Sequence, residues 1–276
     1  MHRARKRFGQ HFLHDRGVID KIIAAIAPVP GDRLVEIGPG LGAITLPLLD
    51  RIGELDAVEI DRDAILHLRE HAAARGTLRI HEGDVLEFDF AALVRPAMAA
   101  GTRLRLVGNL PYNISTPLLF RLIEQRELFV DMHFMLQKEV VDRMAATAGE
   151  EAYGRLSVML APWLRVQPLF DIGPGAFKPP PRVESTFVRL IPHAQPPFEL
   201  ADPRAFSSVV AAAFSQRRKT LRNALRPLLG EADIRAAGID PAARAETISP
   251  AGFAALARQR GSGLCTKSDS HDDNRR

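Results

Sequence analysis

The stretch Leu34-Val35-Glu36-Ile37-Gly38-Pro39-Gly40-Leu41-Gly42 decides the fold. Its first four residues form a short, largely apolar run, which predicts a buried strand, and the glycines that follow predict a tight turn. Helical spacing resumes at Ala43, so the strand leads through a glycine loop into a helix. Glycines in such a loop let the backbone pass close to a ligand, because no Cβ stands in the way.

The alternation of strand and helix continues on both sides of this loop. Helices are predicted over residues 18–27 and 64–74, and further strands over residues 55–60, 78–81, 103–107 and 132–136. Later strands are predicted over residues 156–170 and 185–191, with a long proline-rich connection between them. Strands that alternate with helices indicate an α/β fold, in which a parallel sheet is covered on both faces.

The sequence pattern changes near residue 192. Residues 1–192 are predicted to form the α/β domain with a basic N-terminal arm, and residues 193–204, rich in proline, a linker. Residues 205–261 have helical spacing throughout and predict a small all-α domain of about four helices. Residues 262–276 are polar and predict a disordered tail.

Composition excludes several classes of protein. The chain of 276 residues is 46% hydrophobic and 25% charged, which is typical of a globular protein. Its one cysteine, Cys265, excludes a disulfide framework and a cysteine-rich zinc site, and no metal-binding constellation is visible. No apolar run approaches the roughly 20 residues that span a bilayer, and the basic N-terminus lacks the apolar stretch of a secretion signal. We therefore expect a cytoplasmic protein.

Positive charge is concentrated in two short runs. Residues 1–7 carry four basic side chains and residues 214–226 carry five, with no acidic residue in either run. Because these runs carry +9 in a chain of net charge +4, the remainder carries −5. Basic runs on an acidic body favour a polyanion as partner, although a solvated helix face and a frayed terminus would give the same pattern.

Two carboxylates follow the next two predicted strands. Glu59 ends the second strand, where it can accept hydrogen bonds from a ribose diol, and Asp84 follows the third, where it can accept from an exocyclic amine. In an open parallel sheet these strand ends line one crevice. The glycine spacing alone leaves the cofactor open, because Gly38, Gly40 and Ala43 also satisfy a dinucleotide fingerprint.

The sharpest motif, Asn109-Leu110-Pro111-Tyr112, ends the fourth predicted strand. Methylation of adenine N6 requires two acceptors for its N–H groups, so that the lone pair is drawn out of the ring. The Asn109 side-chain oxygen and the Leu110 carbonyl can supply both, Pro111 fixes the turn, and Tyr112 offers a face on which a flipped-out base can stack. Such chemistry depends on positioning rather than on a strong base.

Glu36, two residues before the glycine loop, together with Glu59 and Asp84 after the next two strands, gives a pattern that resembles the S-adenosylmethionine (SAM)-dependent methyltransferases. These enzymes have a Rossmann-like sheet. The resemblance becomes close to the ribosomal RNA adenine dimethyltransferases over about residues 3–260, because their motifs occur here in order. These are RKRFGQHFL (5–13), EIGPGLG (36–42), NLPYNIST (109–116), MLQKEV (135–140), YGRLS (153–157) and FKPPPRV (177–183).

The resemblance implies an enzyme that dimethylates N6 of two adjacent adenosines in a hairpin near the 3′ end of small-subunit rRNA. It implies that Phe177 stacks on the target base opposite Tyr112, and that SAM is held by six residues: His11, Leu13, Gly38, Glu59, Asp84 and Asn109. Many members have Asn where this chain has His11, so the contact of this side chain with SAM is the least certain.

The second basic run is predicted to be one helix, with Arg218, Arg222 and Arg226 on one face and leucines on the next. Such a face suits RNA phosphates, and anionic lipid is the alternative. The predicted RNA contacts are Arg5, Lys6, Arg7, Arg217, Arg218, Lys219 and Arg222, the partner is rRNA in the precursor small subunit, and nothing demands more than a monomer.

Three other functions remain open at this point. A large-subunit rRNA methyltransferase shares the fold, although those enzymes usually have Ile at the position of Leu110. An NAD-dependent oxidoreductase would explain the glycines but neither Asn109 to Tyr112 nor the basic runs. A non-catalytic rRNA-binding assembly factor would explain the basic runs but not the intact chemical motif.

Overall fold

The computed structural model describes residues 11–94, 103–111, 114–216 and 218–262. Its main sheet is formed by β2 (Leu34–Ile37), β3 (Glu54–Glu59), β4 (Thr77–Glu82), β5 (Leu104–Asn109), β6 (Phe129–Gln137), β7 (Leu164–Ile172) and β9 (Ser185–Pro192). Two short strands, β1 (Phe12–Leu13) and β8 (Phe177–Lys178), form a separate antiparallel pair.

The helices among the described residues are α1 (Arg16–Ile26), α2 (Thr45–Ile52), α3 (Arg62–Ala72), α4 (Ala91–Val94), α5 (Ser115–Glu124), α6 (Lys138–Ala145), α7 (Arg155–Leu160), α8 (Pro203–Ala213), α9 (Leu221–Ala224), α10 (Glu231–Ala236) and α11 (Pro250–Ser262). None of these helices combines the length and the apolar character needed to cross a membrane.

The strand order of the main sheet is β4-β3-β2-β5-β6-β9-β7. The strands from β4 to β6 are parallel to their neighbours, which confirms the predicted α/β fold with a Rossmann-like sheet, and β9 and β7 add an antiparallel end. The chain leaves β2 towards β3 on one side and later returns to β5 on the other. A crevice at the carboxyl ends of β2 and β5 is the usual ligand site of such a sheet.

Gly108 allows β5 to approach β2 closely just before Asn109. A Cβ at this glycine would lie 2.6 Å from the carbonyl oxygen of Ile37, nearer than any side chain tolerates. The glycine therefore fixes the position from which Asn109 projects beyond the end of the strand.

A buried ion network holds β5, β6 and β9 together near the start of β5. Arg105 donates to both carboxylate oxygens of Asp131, at 2.8 and 3.1 Å, and to Asp32 at 2.6 Å, while Arg189 donates to Asp131 at 2.7 Å. Burial alone would raise the pKa of Asp131, but the hydrogen bonds from Arg105 and Arg189 and the electrostatic effects of His133 and Arg105 outweigh burial and lower it.

The predicted late strand over residues 156–170 is wrong in its first part, because α7 occupies Arg155–Leu160 and β7 begins only at Leu164. The Gly154 N–H donates to the Ser157 hydroxyl oxygen at 3.1 Å, which caps the start of α7. Val158 and Leu160 then lie on its buried side. A short apolar run of this kind fits a buried helix as well as a strand.

The chain divides into two compact units, residues 1–141 with 164–194, and residues 142–163 with 195–276. The second unit differs from the predicted helical domain because residues 142–163 also belong to it. Tyr153 and Val158 lie in the same buried cluster as Phe206, Leu221 and Phe253, and the Tyr153 hydroxyl donates to the Ile248 carbonyl at 2.7 Å.

The prediction of one continuous helix through the second basic run is wrong. Among the described residues of this run only α9 is helical, and Arg218 and Arg226 lie in turns on either side of it. The N–H groups of Leu221 and Arg222 donate to the carbonyls of Ala243 and Pro241, so no preceding helical turn supplies their acceptors. Downstream, Pro227 has no N–H with which to continue the helix.

Candidate active site

A cleft of about 300 Å³ lies at the carboxyl ends of β2, β3 and β5. Nine of the predicted site residues line it together: His11, Leu13, Gly38, Glu59, Asp84, Asn109, Leu110, Pro111 and Phe177. Tyr112 lies outside the described residues, as do Arg5, Lys6, Arg7 and Arg217. The structure therefore brings the predicted cofactor and chemical residues of the described chain to one place.

The glycine loop makes its hydrogen bonds within the protein. The N–H of Gly38 donates to Val58 O at 3.0 Å, that of Gly40 to Glu59 Oε2 at 3.1 Å, and that of Gly42 to Pro39 O at 3.0 Å. A dinucleotide site uses the N–H groups of such a loop and of the following helix to bind a pyrophosphate. Because the three glycine N–H groups already have acceptors, the loop does not favour the NAD alternative.

Glycine is required at position 40 both by the backbone conformation and by the close packing of Phe12. Its φ is +54°, in the left-handed region, and a Cβ there would lie 3.3 Å from the ring of Phe12. The N-terminal segment thus packs directly on the glycine loop, which the sequence pattern did not predict.

Glu59 ends β3 as predicted and is buried. Its Oε1 accepts from the N–H groups of Ile60 and Asp61 at 2.8 and 2.9 Å, and its Oε2 from Gly40. Burial raises the pKa of Glu59, and these backbone hydrogen bonds oppose the rise. The bonds fix the carboxylate towards the cleft, where its remaining lone pairs can accept from hydroxyl groups.

Asp84 is exposed and follows β4. Its Oδ1 accepts from the Leu86 N–H at 2.9 Å, which orients the carboxylate at the rim of the cleft. The geometry is consistent with an acceptor for an amine that enters the cleft from the side of Glu59.

Glu36 precedes the glycine loop and is part of the sequence pattern that resembles methyltransferases, but no role in the site was predicted for it from the sequence. It is 2% exposed in β2, lines the cleft, and its Oε2 has no hydrogen-bond partner of normal geometry among the described residues. Burial raises the pKa of Glu36 from 4.5 to about 8; the nearby Thr45 hydroxyl opposes the rise and the Glu59 carboxylate adds to it. A carboxylic acid within an otherwise apolar strand was the available signal.

The charges around the cleft favour a cationic ligand. Glu36, Glu59 and Asp84 line it, and its described lining contains no Lys or Arg. A sulfonium or ammonium group would be attracted by the carboxylates of Glu59 and Asp84, whereas a pyrophosphate would be repelled. The cleft therefore fits SAM. Among the described residues, no group of three or more His, Cys, Asp or Glu side chains is placed to hold a metal ion.

Asn109 projects from the end of β5 with its amide held in one orientation. Its Nδ2 donates to the carbonyl oxygen of His11 at 3.1 Å, so its Oδ1 is the atom left to accept from a substrate. Leu110 is buried, and its N–H donates to Met135 O at 3.2 Å, while the Pro111 carbonyl accepts from Ile114. This arrangement leaves the motif with acceptors rather than donors for an incoming amine.

Phe177 is 3% exposed and lies in β8 opposite Leu13. It forms part of the cleft wall, beside Asn109 and Leu110 in the lining. The placement brings an aromatic ring to the predicted chemical site.

In the second unit, three of the predicted RNA contacts lie within the described chain. Arg218, Lys219 and Arg222 are exposed, and Arg222 is 3.7 Å from Glu231 in a solvent-exposed ion pair. Such a pair contributes little to stability and leaves the guanidinium accessible.

The comparisons with known proteins give one family. Residues 1–259 match the model described as ribosomal RNA adenine dimethylase. Proteins named ribosomal RNA small subunit methyltransferase A are similar: that of Methylococcus capsulatus is 57% identical over 258 residues, 94% of this chain and 98% of that protein. That of Pseudomonas aeruginosa is 54% identical over 258 residues, 94% of this chain and 95% of that protein.

Two solved structures resemble the whole fold. A dimethyladenosine transferase from Plasmodium falciparum is 26% identical with a TM-score of 0.73, covering 91% of this chain and 98% of that chain. The 23S rRNA methyltransferase ErmE is 24% identical with a TM-score of 0.70, covering 91% of this chain and 99% of that chain, and supports the fold alone.

Proposed function

The chain belongs to the ribosomal RNA adenine dimethylase family and is a SAM-dependent rRNA methyltransferase, and from this premise we propose its substrate and its working residues. The substrate is small-subunit rRNA within the precursor small ribosomal subunit, in the cytoplasm. The products are two adjacent adenosines, in a hairpin near the 3′ end, that each carry two methyl groups on N6. The names of the relatives that are 53–57% identical support the choice of subunit.

SAM supplies the methyl group from a positively charged sulfonium. Glu59 binds the ribose hydroxyls, and Asp84 accepts from the exocyclic amine of the SAM adenine. His11, Leu13, Gly38 and Asn109 complete the set that holds SAM. The buried carboxyl of Glu36, whose pKa is raised to about 8, lies at the other side of the loop and can ionise when a cation binds beside it.

The single observation that carries the chemistry is the orientation of the Asn109 amide. Because Nδ2 is held by the His11 carbonyl, Oδ1 can accept one N6–H of the target adenine, and the Leu110 carbonyl accepts the other. Both bonds draw electron density towards N6 and orient its lone pair for attack. Pro111 adds no N–H that would compete for the same position.

The target base stacks between Phe177 and Tyr112. Unstacking a base costs a few kcal/mol, about what one or two aromatic contacts return. After attack N6 is positively charged and acidic, so its proton leaves to solvent and no strong base is required. Positioning and charge complementarity therefore account for the reaction.

The rRNA backbone is bound by two groups of cations. Arg5, Lys6 and Arg7 belong to the first, and Arg217, Arg218, Lys219 and Arg222 to the second. The exposure of the described members supports contact with phosphates, which positions the RNA without reading its sequence. A monomer suffices for this mechanism.

The substrate is tested by offering radiolabelled SAM with purified ribosomal subunits that lack the modification. We expect label in the RNA of the small subunit and none in that of the large subunit. Label in the large subunit alone would identify the other rRNA as substrate. Tight binding of small subunits by wild-type protein with no transfer would favour an assembly factor.

A further inference from the structure

The N-terminal segment makes a junction between the glycine loop, Asn109 and the loop that carries Phe177. His11 Nδ1 lies 2.8 Å from the carbonyl oxygen of Pro179, and the His11 carbonyl accepts from Asn109 Nδ2 at 3.1 Å. Because a carbonyl oxygen only accepts, the hydrogen lies on Nδ1 of the imidazole. One residue therefore connects two segments that are far apart in the sequence.

The imidazole makes this link at a proline, just beyond the end of the short β1–β8 ladder. In the β1–β8 pair Phe12 stands opposite Lys178 and Leu13 opposite Phe177, and the contact of His11 with Pro179 lies just beyond the end of this pair. The His14 N–H donates to Ala176 O at 2.9 Å. Pro179 has no N–H, so it cannot itself donate a backbone hydrogen bond to the N-terminal segment.

The orientation of the Asn109 amide depends on where the His11 carbonyl stands. The oxygen and nitrogen ends of an amide have nearly the same shape, and only hydrogen bonds distinguish them. If Nδ2 lost its acceptor, the amide could turn and present N–H groups to the N6 amine, which is itself a donor. The anchor at Pro179 fixes the backbone of His11 and so keeps Oδ1 towards the substrate.

We propose that His11 is a positioning residue, whose imidazole holds Asn109 and the Phe177 loop in register for methyl transfer. The inference rests on the proposed function, because it concerns the orientation of the N6 acceptor. His11 thus acts in the chemical step through Asn109, in addition to its proposed contact with SAM.

Two variants separate the hydrogen bond from the bulk of the side chain. His11→Leu keeps an apolar side chain of similar reach but has no donor. His11→Asn keeps a donor at the δ position, from which it can reach the Pro179 carbonyl. His14→Leu is the matched control, because His14 is an exposed neighbour that does not line the cleft.

The measurements are kcat and KM on small subunits, the Kd of SAM by calorimetry, and hydrogen–deuterium exchange of the peptide that contains Phe177 and Lys178. For His11→Leu we expect kcat at saturating SAM and RNA to fall by up to about 100-fold, the loss that a misplacement of about 1 Å can cause. The Kd of SAM measures the contact of His11 with SAM separately, and the loss of kcat is expected to persist when SAM is saturating. The 177–178 peptide should exchange faster in the same variant, and His11→Asn should restore both kcat and protection.

A rise in the Kd or KM of SAM with kcat unchanged in His11→Leu would overturn the proposal and leave His11 as a cofactor contact only. Loss of kcat in His11→Asn equal to that in His11→Leu would also overturn it, because a δ donor would then not suffice. Failure of wild-type protein to methylate any rRNA would instead refute the proposed function. In that case the exchange of the 177–178 peptide still reports on the junction.

Discussion

Replacing Glu36 by glutamine removes a buried carboxyl from the cleft while it keeps the size and polarity of the side chain. In the wild-type protein the pKa of Glu36 is raised from 4.5 to about 8 by burial. The protonated form is therefore favoured in the folded state, and ionisation there costs about 5 kcal/mol more than in the unfolded chain.

The sign of the effect on stability follows from this shift. The stabilisation is fully present below pH 4.5, where both states are protonated, and is lost as the pH rises to about 8. Over that interval the free energy of unfolding of the wild type should fall by about 1.4 kcal/mol per pH unit relative to Glu36→Gln. Above about pH 8 the difference should be constant.

The raised pKa of Glu36 also predicts that a proton is released when SAM binds. Close to a cation the carboxylate is favoured, so binding at pH 7 should release about one proton from Glu36. Calorimetry in buffers of different ionisation enthalpy measures this number. We expect the wild type to release about one proton more than Glu36→Gln. Any proton exchanged by the SAM amino group contributes equally to both proteins and cancels in this difference.

Glu70→Gln is the control, because Glu70 is an exposed carboxylate on α3. It should behave as the wild type in both experiments. Equal proton release by wild type and Glu36→Gln, together with parallel curves of stability against pH, would refute the assignment of a protonated Glu36 in the cleft.

Three further perturbations test other parts of the structure. SAM at 100 times its Kd should stabilise the fold by about 2.7 kcal/mol in a thermal melt, and NAD should not; stabilisation by NAD would contradict the carboxylate-lined cleft. Asn109→Ala should lower kcat about 100-fold in a methyl-transfer assay, while binding of the small subunit persists in a filter-binding assay. An unchanged kcat would contradict the role of Asn109 as acceptor. Asp131→Ala should cost about 3 kcal/mol in chemical denaturation, because Arg105 then keeps only Asp32 as a carboxylate partner in a largely buried position. A cost below about 1 kcal/mol would contradict the buried network.

The positions of many site residues were predictable because they follow from local sequence patterns. A glycine loop after an apolar strand, and polar residues at the ends of the following strands, suffice once strand ends of a parallel sheet are known to meet at one edge. Gly38, Glu59, Asp84 and Asn109 do meet there. Local pattern and sheet topology together thus predict where a ligand binds.

The features that were not predicted depend on contacts between distant segments. Helix α9 is short because carbonyls at Pro241 and Ala243 satisfy its first N–H groups, and no property of the basic run itself shows this. The contact of His11 with Pro179 joins residues 168 positions apart. The raised pKa of Glu36 requires knowledge of its burial, which a single acid in an apolar run only suggests.

The most direct test of the central claim is to identify the product. Purified protein and SAM are incubated with small subunits that lack the modification, and the rRNA is digested and analysed by nucleoside mass spectrometry. The proposed function predicts N6,N6-dimethyladenosine at two adjacent positions near the 3′ end, formed by the wild type and strongly reduced with Asn109→Ala. Intact SAM binding with no methylated adenine in that rRNA would contradict it.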